Sequence, residues 1–201
     1  MNKWELVRKL YEVNAVKFGS FVLKSSIQSP IYIDLRVIIS YPDILQAVAN
    51  CMWKKVATYN FDLMCGVPYT ALSIATVMAI KHNKPMVMKR KEIKGYGTKK
   101  ILEGVFKEKQ TCLVVEDLFT SGISSLETIN SLEKAGLQVE HVVILIDREQ
   151  GGVINIQKRG YFVHSVFTLT DIIKILCQSG AINQEIINVV TAYIRQNQVY
   201  F

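Results

Sequence analysis

The sequence predicts an α/β protein in which a central, mostly parallel sheet is flanked by helices, with a small N-terminal hood. From residue 62 onward, continuous apolar runs of strand length alternate with helical stretches, which is typical of a parallel sheet covered on both faces. Half of the 201 residues are hydrophobic, enough for one domain with a substantial core. About the first sixty residues do not join the alternation, so we expect them to cover the sheet.

The N-terminal part is expected to hold two helices and a pair of strands. Apolar residues at helical spacing predict an amphipathic helix over residues 2–17. Residues 19–25 and 30–36 alternate as strands do, on either side of a Ser-Pro turn. A second helix is predicted over residues 41–59, where Pro42 stands in the first turn.

The rest of the chain supplies the sheet and its helices. Strands are predicted at residues 62–67, 85–90, 111–117, 140–148 and 161–169, with helices at 70–82 and 122–136. Thr170 or Asp171 is expected to cap a helix that runs to residue 176, and a last helix covers 183–197. We therefore predict a single domain over residues 1–201. It comprises the N-terminal helix and hood (about 1–60), the core sheet (about 61–170) and the C-terminal helices (about 171–201).

The charge distribution points to a local anion site. The formal net charge is +7, and nine Lys or Arg against three Glu between residues 84 and 109 supply +6 of it. A charge excess confined to one segment argues against a general nucleic-acid-binding surface. No nucleic-acid partner is therefore expected.

Cysteine usage and hydropathy bear on the compartment. Cys51, Cys65, Cys112 and Cys177 form no CxxC pair and are expected to be reduced, buried thiols of a cytoplasmic protein. The three histidines lack metal-ligand spacing, so no protein-held metal is expected. The charged, amphipathic N-terminus does not resemble a signal peptide, and the longest uncharged apolar stretch is too short to span a bilayer. No membrane association is expected.

Two adjacent carboxylates end one predicted strand. Glu116 and Asp117 follow five apolar residues, and small hydroxyl residues around Gly122 lead into a helix. Backbone N–H groups at such a helix start can hold a phosphate, and carboxylates one turn earlier can accept hydrogen bonds from sugar hydroxyls. The pattern indicates a phosphorylated ribose. Alternatively, the hydroxyl residues serve only to cap the helix, which leaves the paired acids unexplained.

Two other predicted strand ends carry weaker signals. The strand before Pro68 turns into a helix near Thr70, where backbone amides could hold a second anion; a simple strand–helix turn is an equal alternative. Asp147 and Arg148 end another strand. The arginine suits a planar acidic or carbonyl-bearing ligand, although an internal Asp147–Arg148 pair is the alternative.

The cationic segment suits a lid over a polyanionic ligand. Lys89, Arg90, Lys91 and Lys94 follow a strand directly, and a Gly-x-Gly stretch around Tyr96 permits closure. Closed over the ligand, the segment could exclude water from a reactive sugar cation and place positive charge where a diphosphate departs. Considered alone, the segment could equally be a solvated basic hairpin or a localisation tract.

At these residues the sequence resembles the orotate phosphoribosyltransferases, members of the type I phosphoribosyltransferase family. "VVEDLFTSGISSLETINSLEKAG" resembles their phosphoribosyl-diphosphate motif and "KRKEIKGYGTKKILEG" their catalytic loop. "SPIYIDLR" is similar to their hood strand and "ILIDREQGG" to the segment with the orotate-binding arginine. The resemblance runs from about residue 4 to residue 197 and is closest to the N-terminal domain of animal-type bifunctional UMP synthases. It implies the type I phosphoribosyltransferase fold.

The resemblance also implies a reaction and a set of site residues. Orotate and 5-phosphoribosyl 1-diphosphate would give orotidine 5′-phosphate and diphosphate, in UMP biosynthesis. The catalytic residues would be Lys94, Lys91, Arg90 and Asp117. The phosphoribosyl diphosphate would contact Lys24, Tyr69, Thr70, Arg90, Lys91, Lys94, Tyr96, Glu116, Asp117, Leu118, Phe119, Thr120, Ser121, Gly122, Ile123 and Ser124. Orotate would contact Lys24, Tyr32, Ile33, Thr120 and Arg148.

The resemblance further implies Mg²⁺, carried mainly by the substrate diphosphate, and a homodimer in which the catalytic loop reaches the neighbouring site. Gly95 departs from the family pattern, because it stands where an acidic residue is usual. Three alternatives stay open: a non-catalytic nucleotide sensor on the same fold, possibly one that binds RNA, a purine phosphoribosyltransferase, and an excised half of the bifunctional protein. No decarboxylase barrel follows in this sequence.

Overall fold

The computed structural model describes residues 1–23, 26–91 and 101–201. Its N-terminal part comprises α1 (Lys3–Glu12), β1 (Val16–Val22), β2 (Gln28–Ile33), a 3₁₀ helix (Leu35–Ser40) and α2 (Pro42–Val56). The strands β1 and β2 pair antiparallel in a sheet of their own, with Val16 opposite Ile33. This hairpin, together with the 3₁₀ helix, forms the hood that the sequence predicts.

A six-stranded sheet forms the centre of the remaining described chain. Its elements are β3 (Leu63–Gly66), α3 (Thr70–His82), β4 (Met86–Lys89), β5 (Leu102–Glu103), β6 (Cys112–Phe119), α4 (Ile123–Lys134), β7 (His141–Asp147), α5 (Gly152–Gln157), β8 (Phe162–Thr168), α6 (Leu169–Gln178) and α7 (Gln184–Gln196). The strand order is β5-β4-β3-β6-β7-β8. Neighbouring strands run parallel except β4 and β5, which are antiparallel.

Burial explains why the central strands read as unbroken apolar runs. All four residues of β3 and the first five of β6 are buried, as are residues 142–146 of β7. Because the order of the sheet runs in opposite directions after β3 and after β6, right-handed crossovers put α3 and α4 on opposite faces. Both faces of these strands are therefore covered, which leaves no polar face to interrupt the apolar pattern.

The structure corrects the predicted N-terminal boundaries. The helix predicted over residues 2–17 ends at Glu12, because Asn14 adopts a left-handed conformation (φ 59°) and the Ala15 N–H bonds back to the Leu10 carbonyl. The two strands lie at 16–22 and 28–33, two to three residues earlier than predicted. Asp34 then caps the 3₁₀ helix by accepting a hydrogen bond from the Arg36 N–H.

Other sequence-based expectations also change. Thr168, not Thr170 or Asp171, is the N-cap of α6, and Asp171 completes its capping box three residues later. The helix α5 and the two-residue strand β5 were not predicted. Cys65 and Cys112 are buried free thiols as expected, whereas Cys51 and Cys177, also free, are only half-buried.

Helices long and apolar enough to cross a membrane do not occur in the described residues.

Candidate active site

The candidate site lies where the strand order of the sheet reverses. The strands β3 and β6 are parallel neighbours, and the chain moves outward from β3 to β4 but in the other direction from β6 to β7. Ligands of open α/β sheets bind in the crevice beyond the carboxyl ends of such a strand pair. Thr70 follows β3 and Gly122 follows β6, so both predicted anion-binding turns open onto this crevice.

Glu116 lies inside the protein at the end of β6. Only 5% of the residue is exposed. Its carboxylate accepts hydrogen bonds from the Ser125 hydroxyl at 3.0 Å and from the Asp117 N–H at 3.1 Å. Burial, with the neighbouring Asp117 charge as a smaller cause, raises the pKa of Glu116 well above its ordinary value. Ser125 was predicted only as one of the small hydroxyls of the turn, and its role as the partner of Glu116 was missed.

Asp117 follows Glu116 in the same strand, and its side chain interacts with both the Glu116 carboxyl and Thr70. It is half-buried. Burial raises its pKa, while hydrogen bonds with the Glu116 side chain, the backbone and the Thr70 side chain act in the opposite direction. Asp117 thus lies on the side of β6 that approaches the start of α3.

The turn after β6 is a helix start without a side-chain cap. Gly122 is the N-cap of α4, with φ 84°, and in the described chain no side chain caps this helix end. The first helical hydrogen bond runs from the Leu126 N–H to the Gly122 carbonyl. The N–H groups of residues 123–125 therefore stay available to an anion. The alternative that the hydroxyl residues are there to cap the helix does not fit, because glycine occupies the cap position.

The other residues expected around the phosphate differ in how they could reach it. Leu118, Thr120 and Ser121 are half-buried, and Ile123 and Ser124 are exposed. Phe119 is 1% exposed and packs into the core. Its backbone carbonyl accepts a hydrogen bond from the Arg148 N–H at 2.9 Å, which joins the ends of β6 and β7.

The turn after β3 lies close against the helix that follows. A Cβ atom on Gly66 would stand 2.6 Å from the Ala71 carbonyl oxygen, so only glycine permits this approach. Tyr69 is 64% exposed at the N-cap of α3, where no described side chain provides a cap. The ammonium group of Lys91 lies 5.1 Å from the centre of the Tyr69 ring. The cationic segment that follows β4, called the basic segment from here on, thus begins beside this turn.

The ends of the basic segment are held together in the sheet. Lys89 of β4 pairs with Leu102 of β5, and the Arg90 N–H donates to the Ile101 carbonyl at 2.9 Å. The guanidinium of Arg90 forms an ion pair with Glu103. Lys94 and Tyr96 lie outside the described residues, as does Lys24. Glu103 was not among the predicted site residues, and nothing in the sequence singles it out.

Arg148 is a buried cation at the end of β7. The residue is 5% exposed, and its Nε and Nη2 atoms have no hydrogen-bond partner in the described part of the chain. Burial lowers the pKa of its guanidinium, whose central carbon lies 6.0 Å from the centre of the Tyr193 ring. Asp147 instead accepts a hydrogen bond from the Glu149 N–H. Among described residues, no ion pair joins Asp147 to Arg148, so that alternative fails.

The two residues of the hood that were predicted to contact orotate, Tyr32 and Ile33, lie on opposite faces of β2. Ile33 is 8% exposed and belongs to the core. Tyr32 is half-buried on the other face, with its ring 5.5 Å from that of Phe21 and its hydroxyl 3.4 Å from the Arg36 Nη2. Helix α7, which carries Tyr193, packs on β2 of the hood, and the Tyr193 ring centre lies 6.0 Å from the guanidinium carbon of Arg148. This link was not predicted, because Tyr193 read simply as part of an apolar helix stripe.

The described residues offer at most pairs of side chains that could ligate a metal ion together. Groups of three or more His, Cys, Asp or Glu in a ligating arrangement do not occur in that part of the chain. Glu116 and Asp117 supply carboxylate oxygens of the kind that Mg²⁺ prefers. An ion beside this pair would need most of its ligands from elsewhere, such as substrate oxygens and water.

Comparison with known proteins identifies relatives along nearly the whole chain. The chain is 50% identical over 194 residues to the uridine 5′-monophosphate synthase of Bos taurus, covering 96% of this chain and 40% of that protein. It resembles the structure of Leishmania donovani UMP synthase with a TM-score of 0.89 and 35% identity, covering 98% of this chain and 43% of that one. The chain therefore spans about two-fifths of these longer relatives. No protein-family model matches it.

A shorter relative settles the family. The chain is 42% identical over 172 residues to the orotate phosphoribosyltransferase of Chlamydia caviae, which covers 85% of this chain and 84% of that protein. The fold is that of the type I phosphoribosyltransferases, as the sequence motifs predicted. This chain belongs to the orotate phosphoribosyltransferase family.

Proposed function

We propose that this chain transfers the phosphoribosyl group of 5-phosphoribosyl 1-diphosphate to orotate, forming orotidine 5′-phosphate and diphosphate. One observation carries the proposal: the buried guanidinium of Arg148, two of whose nitrogens have no hydrogen-bond partner among the described residues, lies one strand away from an uncapped helix start. A cation for a planar anion therefore neighbours an anion site for a sugar phosphate. Orotate is a planar anion, and 5-phosphoribosyl 1-diphosphate carries a sugar phosphate, so each substrate matches one of the two sites.

The phosphoribosyl part would bind at the end of β6. Thr120, Ser121, Gly122, Ile123 and Ser124 would surround the 5-phosphate, which would receive hydrogen bonds from the free N–H groups of α4. Leu118 and Phe119 would contribute backbone groups. Asp117 and Glu116 would accept hydrogen bonds from the ribose hydroxyls, which for Glu116 requires that the sugar compete with the Ser125 hydroxyl.

Orotate would bind between Arg148 and the hood. Its carboxylate and ring carbonyl suit the two-pronged guanidinium, and desolvation strengthens that attraction at a buried site. Tyr32, the backbone of Ile33, Thr120 and Lys24 would complete the pocket. Since orotate is already ionised when it attacks ribose C1, little general-base chemistry is needed. We propose a dissociative displacement, with orotate approaching opposite to the leaving diphosphate.

The diphosphate would leave towards the turn after β3. Tyr69 and Thr70 would hold it through their backbone, and Arg90, Lys91, Lys94 and Tyr96 would close over it together with Lys24. The position of Lys91 beside Tyr69 supports this arrangement. Cations aimed at the charge that develops on a leaving group lower the barrier selectively in the transition state. For Arg90, binding would require that diphosphate replace Glu103 as its partner.

We further propose Mg²⁺ as the cofactor, with Asp117 and Glu116 as the protein oxygens nearest to it. When bound, the ion would neutralise part of the diphosphate charge. Two more proposals concern the whole protein: a homodimer in which the basic segment serves the neighbouring site, and residence in the cytoplasm, which suits four free thiols. No observation favours a nucleotide sensor or a purine substrate.

The test is the loss of orotate ultraviolet absorbance with and without 5-phosphoribosyl 1-diphosphate and Mg²⁺. We expect consumption only when both are present, and no consumption under any condition would overturn the proposal. Lys94→Ala should lower turnover on the order of a hundredfold, since one well-aimed cation contributes about 3 kcal/mol. Orotate affinity should change far less. Equal turnover of variant and parent would exclude that role for Lys94.

A further inference from the structure

Asn155 connects two parts of the chain that are distant in sequence. The residue is fully buried in α5. Its side-chain amide donates to the Ser121 carbonyl at 3.0 Å and to the Val199 carbonyl at 2.9 Å, and its oxygen accepts from the Phe201 N–H at 3.3 Å. A fully buried amide whose two hydrogens and oxygen are all engaged specifies one arrangement of its partners.

The turn that carries Ser121 rests directly on the start of α5. The Gly152 N–H donates to the Thr120 carbonyl at 3.0 Å. A Cβ atom on Gly152 would stand 2.7 Å from that same oxygen, and one on Gly122 would stand 3.2 Å from the Gly152 carbonyl oxygen. The two segments therefore touch backbone to backbone, without space for a side chain between them.

The C-terminal segment, residues 197–201, covers α5 and the loop before it. The Val199 N–H donates to the Gln150 carbonyl at 2.9 Å, and the Gln150 side chain donates to the Asn197 carbonyl at 3.0 Å. A Cβ atom on Gly151 would stand 2.3 Å from the Val199 carbonyl oxygen. Asn155 thus lies between the C-terminal segment and the turn at residues 120–122, and it is hydrogen-bonded to both.

We propose that Asn155 is a positioning residue for the turn that would bind the phosphate. Asn155 and Gly152 hold the Ser121 and Thr120 carbonyls, and thereby direct the N–H groups of Gly122 and Ser121, which precede the free N–H groups of α4. A peptide unit is planar, so the C=O of one residue and the N–H of the next point in opposite directions. Asn155 holds the Ser121 carbonyl and thereby sets the direction of the Gly122 N–H. Gly152 holds the Thr120 carbonyl and likewise sets that of the Ser121 N–H.

The inference rests on the proposed function, because it assigns a role to the turn that would bind the 5-phosphate. Asn155 itself would not touch the substrate. Its contribution is preorganisation: N–H groups that already point at the ligand need not be ordered on binding. The C-terminal segment stabilises the arrangement by occupying the second amide hydrogen, which would otherwise be buried without an acceptor.

The experiment compares ribose 5-phosphate binding by calorimetry in the parent and in Asn155→Asp, Asn155→Ala and Val199→Pro. Asn155→Asp is isosteric but has no amide hydrogens for the two carbonyls. We expect its dissociation constant to rise about tenfold, the change that corresponds to roughly one lost hydrogen bond. Val199→Pro removes the N–H that docks the C-terminal segment and should have a smaller effect in the same direction. Asn188→Asp, at an exposed asparagine of α7, is the matched control and should bind as the parent does.

Steady-state kinetics separate positioning from general destabilisation. The KM for 5-phosphoribosyl 1-diphosphate should rise with the dissociation constant, while kcat and the KM for orotate stay within about twofold at a temperature well below unfolding. An unchanged dissociation constant in a folded Asn155 variant would overturn the inference. Should both Asn155 variants fail to fold, unchanged binding by Val199→Pro overturns it. An inactive parent whose ribose 5-phosphate binding still depends on Asn155 would refute the proposed reaction but not the positioning.

Discussion

At the scale of single residues, Arg148 is a buried cation whose hydrogen bonding is incomplete in the described chain. Removing a charged group from water costs several kcal/mol unless it is paired. Arg148 is 5% exposed, and two of its nitrogens lack a partner in the described chain. Among described residues, the Tyr193 side chain, whose ring centre lies 6.0 Å from the guanidinium carbon, offers a partial compensation. A buried cation in this condition is suited to receive an anion.

Arg148→Met should therefore stabilise the free chain and impair it as an enzyme. Replacing an unsatisfied buried charge by an apolar side chain of similar length should raise the free energy of unfolding by about 1–4 kcal/mol, as measured in urea. The KM for orotate should rise at least tenfold through lost charge-assisted hydrogen bonds. Arg195→Met, at an exposed arginine of α7, serves as the control and should change neither quantity much. A less stable Arg148→Met would contradict the argument.

The two acids at the end of β6 predict a pH dependence of stability. Both folded pKa values are raised, chiefly by burial. The folded chain thus binds protons more tightly than the unfolded chain, so this contribution to stability is complete below the ordinary pKa. It is lost as pH rises from about 4.5 through the raised value of Glu116.

Glu116→Gln removes the larger part of that dependence. We expect its free energy of unfolding to fall less than that of the parent as pH rises, so that the variant is the more stable one at neutral pH. Urea unfolding at a series of pH values measures this, with Glu127→Gln at an exposed position of α4 as the control. Parallel curves for Glu116→Gln and the parent would show that Glu116 titrates normally.

The sequence predicted the positions of the candidate site residues along the chain better than the directions of their side chains. The positions of the acids, the glycine turn and Arg148 at strand ends could be predicted, because these residues interrupt or end apolar strands; their role in binding stays a prediction. The assignment of side chains to faces could not be predicted. A change of one residue in register exchanges the two faces of a strand, so the sequence does not specify which side chains point inward. In the structure, the Glu116 carboxylate accepts a hydrogen bond from Ser125, and Ile33 packs in the core.

At the scale of elements, the five core strands that were predicted lie within two residues of their expected bounds, whereas both hood strands were displaced by two to three residues. The central strands were predicted within a few residues because they are apolar throughout. The hood strands were misplaced, since their pairing shifts register between Phe18 and Phe21 and breaks the alternation. Helix α5 has six residues and β5 two. Elements this short are specified by their tertiary contacts and carry little periodicity of their own.

The cap of α6 gives a direct test at this scale. The Thr168 hydroxyl accepts a hydrogen bond from the Asp171 N–H at 3.0 Å, and the Asp171 carboxylate accepts one from the Thr168 N–H at 3.0 Å. Thr168→Ala should lower the free energy of unfolding by about 1 kcal/mol, as measured by urea unfolding. Thr170→Ala, two residues along, should have a clearly smaller effect. A larger loss of stability for Thr170→Ala than for Thr168→Ala would favour Thr170 as the cap, as the sequence suggested.

At the scale of the whole molecule, the strand order brings the functional segments together. The crevice forms because β6 inserts beside β3 instead of following β4 outward, and this alone places the turns at Thr70 and Gly122 side by side. Sequence patterning predicts strands and helices but not which strands become neighbours. The motif resemblance therefore carried that part of the prediction.

The proposed dimer predicts complementation between two inactive variants. Lys91→Ala would lack a basic-segment cation, and Asp117→Asn would lack a ribose-binding acid. If the basic segment acts on the neighbouring subunit, a mixed dimer contains one site with neither substitution. Mixing the two should then restore part of the activity, measured by orotate absorbance. Persistent inactivity after subunit exchange has been demonstrated by mass spectrometry would argue that each chain uses its own segment.

The short pairing of β4 with β5 has a consequence for exchanging sequence between relatives. Because Lys89 lies opposite Leu102, the chain leaves and re-enters the sheet at adjacent positions. The pairing of β4 with β5 therefore offsets the entropy lost when the ends of the intervening residues are brought together. The residues between the two strands can therefore be exchanged as one unit. A chimera that carries another enzyme's version between these two anchors should keep the host architecture, so that any altered turnover can be attributed to the transplanted piece.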